Sequence, residues 1–186
     1  MKPMILFTSL TLSSLASGGS VHTHGEGKLS IAVDGKTIYL ELEAPGQDIF
    51  GFESQDKAKK SKDLIMQKMN LMRKPESLFV FPKTSNCKIK ATSLKAFNKD
   101  YAAVDGKAKD HHDHDHEEKK HQHKHGDHAE FLGSFKAECQ GPVSNINLTV
   151  KLGKNFPALK KIKVQVLSEK AQSSTTGKGT EFSVKL

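Results

Sequence analysis

The sequence predicts a β-rich α+β single domain. Its antiparallel strands can pack as two sheets in a sandwich-like arrangement, with one main amphipathic helix and a disordered His-rich loop. Three observations carry that expectation. Apolar and polar residues alternate in several short runs, the mark of half-buried strands. One longer segment, 54–73, places its apolar residues at helical spacing instead. Residues 107–128 hold no apolar side chain except Ala108, so they cannot supply a packed core. A chain of 186 residues is long enough to bury a core around such an insertion.

The elements follow in order. Residues 1–20 read as a secretory signal, with Lys2, an apolar run from Met4 to Leu15, and small residues at Ala16-Ser17-Gly18 for cleavage. The run falls short of the ~20 residues that span a bilayer, and no later segment qualifies. The mature domain is therefore expected over 21–186, exported and without stable membrane insertion. Leu29, Ile31 and Val33, then Asp34-Gly35, then Ile38, Leu40 and Leu42 spell a hairpin. Pro45-Gly46 ends it. The helix over 54–73 is capped by Ser54, places Ala58, Ile65, Met69 and Met72 on one side with Leu64 and Leu71 beside them, and leaves Lys57, Lys59, Lys60 and Lys62 in solvent. Leu78, Phe79, Val80 and Phe81 are expected in the core. Strands are expected from Lys88 to about Phe97, from Glu130 toward Cys139, over Ile146–Leu152, over Ile162–Val166 and at the C-terminus, with a turn at Thr176-Gly177-Lys178-Gly179.

The only two cysteines, Cys87 and Cys139, most simply form one disulfide in an exported chain. It would tie the strands on either side of the His-rich insertion and hold the base of that loop. There is no Cys-x-x-Cys redox motif. The formal charge of +8, with His neutral, first suggests nucleic acid or an anionic membrane surface. Export argues against nucleic acid, and the helix lysines are most simply a solvated face.

The histidines carry the chemistry. Eight of ten lie in the insertion, at His111, His112, His114, His116, His121, His123, His125 and His128. Neutral imidazole is the commonest side-chain metal ligand and suits zinc, copper and nickel. Interleaved acids add oxygen ligands and balance the local lysines. In acid the imidazoles charge and expel metal. A loop of this kind makes several weak, exchanging sites, because tight binding needs preset geometry and outer-shell support. His22 and His24 are candidates for a firmer site at the mouth of the first strand. An extended backbone there would turn both to one side, with Glu26 continuing it. Glu53, at the start of the helix, is a further candidate. No His-Glu-x-x-His, Ser-His-Asp or Cys-His arrangement is present, so no enzyme is expected.

The segment His22-Thr23-His24-Gly25-Glu26-Gly27 with the Asp-Gly hairpin, then Leu42-Glu43-Ala44-Pro45 and Gly51-Phe52-Glu53, resembles the ZrgA family of bacterial periplasmic zinc-binding proteins. The likeness continues through Pro75-Glu76-Ser77-Leu78-Phe79, Cys87, the His-rich tract, Cys139 and Phe156-Pro157-Ala158-Leu159. The resemblance implies Zn²⁺ as ligand, the periplasm of a Gram-negative bacterium as location, and a zinc ABC importer as partner. It places the ordered site around His22, His24 and the end of the loop. One position departs: Gly-Phe-Glu is commonly followed by His in that family, and here by Ser54. A metal buffer or resistance protein, binding zinc, nickel or copper without a transporter, is the alternative.

Overall fold

The computed structural model of the chain describes residues 23–101, 129–169 and 171–186. The expected signal, His22 and the expected insertion 107–128 lie outside the described residues.

β1 (Glu26–Asp34) and β2 (Thr37–Pro45) form the expected hairpin, with Leu29 opposite Leu42 and Ile31 opposite Leu40. Leu29, Ile31, Ile38, Leu40 and Leu42 are fully buried, while Val33, next to the turn, is only partly so. The chain then makes α1 (Gly46–Phe50), α2 (Gln55–Lys60) and α3 (Lys62–Met72). Ser54 caps α2, its Oγ accepting from the Lys57 amide at 3.3 Å. The single helix expected over 54–73 is thus two, broken at Ser61 with φ −118° and ψ 35°. The physical reason is local. The first half offers only Ala58 to the core among exposed lysines, and serine competes with the helical backbone for hydrogen bonds. Ile65, Met69 and Met72 hold α3 down as expected.

β3 (Phe79–Val80) is short and pairs with β7 (Asn147–Val150). Alternation buries Phe79 but turns Val80 outward, 37 % exposed, so Val80 does not belong to the expected core. β4 (Cys87–Ala96) and β5 (Lys99–Asp100) lead to Tyr101, and β6 (Glu130–Cys139) resumes the sheet. After β7 come α4 (Leu152–Asn155), β8 (Lys161–Ser168), β9 (Gln172–Lys178) and β10 (Phe182–Lys185). Leu152, expected at the end of a strand, instead opens α4. The turn expected at 176–179 falls later. Residues 176–178 belong to β9, and Gly179, with φ +83°, makes the reversal. β9 escaped notice because all its residues but Gly177 are exposed, so no alternation marks it.

The architecture is two layers. A seven-stranded sheet runs β5-β4-β6-β2-β1-β8-β9, and a three-stranded sheet runs β10-β7-β3. The larger sheet is mixed, because β8 joins β1 in parallel while its other pairs are antiparallel. Its buried face packs on the smaller sheet, with the Phe79 and Phe135 rings 5.1 Å apart. Phe50 joins the core between Phe97 and Phe131 at 5.2 and 6.3 Å. Each such buried side chain contributes about 1.5–3 kcal/mol.

Cys87 and Cys139 are cross-strand partners joined by a disulfide, closing a separation of 52 residues. It does tie the strands flanking the insertion, but not at the insertion's base. Cys87 begins β4 and Cys139 ends β6, whereas the chain leaves after β5 and returns at Ala129. The bond therefore closes the opposite end of the β4–β6 ladder. Cys87→Ala/Cys139→Ala should cost about 2–4 kcal/mol of stability, read by chemical denaturation of the oxidised and variant proteins.

Candidate metal centre

The turn before β1 sets the position of His24. Gly25 has φ +81°, a left-handed conformation that a Cβ would disfavour. Its carbonyl accepts the amides of Lys160 and Lys161, each at 2.9 Å. Its own N–H donates to Asp48 Oδ2 at 2.6 Å. Asp48 comes from α1 and is only 5 % exposed. Burial pushes its carboxyl above the usual range, while the Gly25 amide and the nearby His24 pull it down.

Glu53 lies in the extended link between α1 and α2, beside buried Phe52. Its Oε1 is 3.3 Å from His24 Nδ1, with the carboxylate side chain 12 % and the imidazole 60 % exposed. The corner thus brings one accessible imidazole against the withdrawn Glu53 carboxylate, on a turn whose backbone the buried Asp48 holds. The same corner receives the chain returning from the insertion. Ala129 donates its N–H to the Glu53 carbonyl at 3.3 Å and accepts from Gly46 N–H at 2.8 Å. Gly46 allows this approach, since a Cβ there would lie 2.6 Å from the Ala129 oxygen.

The fold brings His24 and Glu53 together and separates Glu26 from them. The Gly25 turn interrupts the extended backbone, so Glu26 does not continue the His24 side. Its carboxylate meets Lys161 Nζ at 2.8 Å and Lys163 Nζ at 2.9 Å. Hydrogen bonds from Lys161 and then Lys163 lower its pKa from 4.5 to about 2. Sequence reasoning missed Asp48. Its only signal was a lone acid after Pro45-Gly46, which reads as part of a turn. His22 and the eight histidines of 111–128 lie outside the described residues. Among the described residues, no three His, Cys, Asp or Glu side chains gather closely enough to hold a metal ion.

The comparison with known families agrees with the motifs. The model of the ZrgA family of zinc uptake proteins matches residues 21–186. The chain belongs to this family. Association with zinc follows from that membership. No curated relative matches the chain. Among the described residues, no helix is long and apolar enough to cross a membrane.

Two outcomes test this geometry. Gly46→Ala should drive the Ala129 carbonyl away and cost about 1–3 kcal/mol, read as a lowered thermal midpoint. Glu26, whose pKa is depressed in the fold, stabilises the protein above about pH 4.5, and that contribution is lost as pH falls toward about 2. Glu26→Gln should therefore flatten the pH dependence of stability across this window, with the two proteins converging at its acid end, followed by circular dichroism.

Proposed function

We propose that this protein is a periplasmic zinc-binding protein that captures Zn²⁺ for uptake by an ABC importer. The observation that carries the reading is the hydrogen bond from Ala129 to the Glu53 backbone, with the Glu53 side chain facing His24. The His-rich segment ends at His128, one residue before this anchor. Ions gathered by its many weak ligands thus have a fold-anchored imidazole next to the point where the segment rejoins the sheet. His22, two residues before His24, and nearby carboxylates or His128 complete the proposed ligand set, with zinc as cargo.

Imidazole and carboxylate donors suit Zn²⁺ in an oxidising compartment, where thiols are consumed as disulfides. Zinc polarises nothing in this scheme; the protein acts as a binder and not as an enzyme. Because His must be neutral to bind, uptake is favoured near neutral pH and release in acid.

Zinc titration of the protein lacking residues 107–127, which leaves His128 in place, should retain one tight site and lose the weaker ones. His24→Ala, and separately His22→Ala, should remove or weaken the tight site in the full mature chain. Loss of all binding on deleting the segment would favour the buffer reading, in which the insertion alone sequesters metal and nothing is handed on.

A further inference from the structure

We propose that Asp48 and Glu53 are positioning residues for His24, one holding its backbone and the other its ring, so that Nε2 is the atom offered to zinc. The inference rests on the reading of His24 as the fold-anchored ligand.

Asp48 acts on the main chain. The Gly25 N–H is spent on Asp48 Oδ2 and the Gly25 carbonyl on the amides of Lys160 and of Lys161, the first residue of β8. The residue after His24 is therefore fixed through both of its polar groups. A hydrogen bond to a carboxylate sheltered from water is stronger than a neutral one, and Asp48 is sheltered within α1. The Glu26 amide closes the same turn onto Thr23 O at 3.0 Å. Little freedom remains in the direction from which the His24 side chain leaves the backbone.

Glu53 acts on the ring. A neutral imidazole has one N–H and one lone pair, and the partner of one nitrogen decides which is which. With Glu53 Oε1 at Nδ1, the proton belongs on Nδ1 and the lone pair on Nε2. A carboxylate placed in this way fixes the tautomer and the ring orientation of a ligating histidine. The exposures fit the division of labour: the carboxylate is withdrawn while most of the imidazole is open to an incoming ion. Gly51, with φ +86°, ends α1 and turns the chain so that residues 48 and 53 both return to this one turn.

The rival arrangement makes Glu53 a zinc ligand, sharing the ion with Nδ1. Nitrogen-15 NMR of the full mature chain, with labelled histidine rings and the His24 signals assigned by their loss in His24→Ala, separates the two. The proposal expects the Nδ1–H tautomer without metal and zinc on Nε2 with it. Competition against a chromophoric chelator should show Glu53→Ala and Asp48→Ala weakening the tight site about 10–100-fold. Asp48→Asn keeps an oxygen for the Gly25 amide and should recover most of that loss. Glu53→Ala should also redistribute the His24 tautomers, a change that loss of stability alone would not produce. Zinc on Nδ1 would overturn the proposal. So would unchanged affinity in Glu53→Ala and Asp48→Ala where His24→Ala destroys the tight site. If His24→Ala itself leaves that site intact, the reading of His24 as ligand fails, which is a different result.

Discussion

β6 is the strand on which the larger sheet depends, and the clasp that holds its entry at Ala129 governs much of the remaining structure. β6 pairs with β2 on one side and with β4 on the other, so without it the larger sheet is two fragments. Residues 102–128 separate Tyr101 from Ala129, and the entropic cost of holding two such points together grows only slowly with the length of chain between them. Both ends are held. Arg73 donates to the Tyr101 carbonyl, and Ala129 is clasped between Gly46 and Glu53. The disulfide secures the far end of the β4–β6 ladder, while the tip of the β1–β2 hairpin is bonded there too, Cys139 N–H meeting Lys36 O at 2.9 Å.

The candidate site is a consequence of the same clasp. Gly46 and Glu53 bracket α1, so fixing both to Ala129 also fixes the helix that carries Asp48. Asp48 in turn fixes the Gly25 turn and hence His24. The electrostatics sort the acids by task. Glu26 is neutralised by Lys161 and Lys163, whereas Glu53 faces the imidazole and Asp48 holds the Gly25 amide beside it. The basic balance of the chain therefore says little about this corner. The lysines of α2 point into solvent, and those of β8 serve Glu26.

Much of the fold was legible because burial imposes a period on the sequence. Leu29, Ile31, Ile38, Leu40 and Leu42 alternate because one face of the hairpin is covered, and Ile65, Met69 and Met72 recur helically for the same reason. β9 was not legible, since all its residues but Gly177 are exposed and obey no such rule. The break at Ser61 and the outward turn of Val80 were missed for a related reason. Composition can mark a segment as apolar or helical without saying where the supporting surface ends. At the site, His24 and Glu53 were singled out by residue type, but nothing local linked them. Asp48 was invisible, because its role is a hydrogen bond to a residue 23 positions away.

By itself the sequence determined the fold class, the hairpin, the cysteine pair and the family, together with the concentration of histidine in one core-free stretch. Each of these is a matter of local period, residue count or ordered motif. The tertiary structure alone decided that β8 lies parallel to β1, that the disulfide sits opposite the insertion, and that Glu26 serves two lysines while Glu53 faces His24. These are long-range pairings, selected by which faces and backbone groups remain to be satisfied once the sheet has closed, and no short window of sequence encodes that remainder.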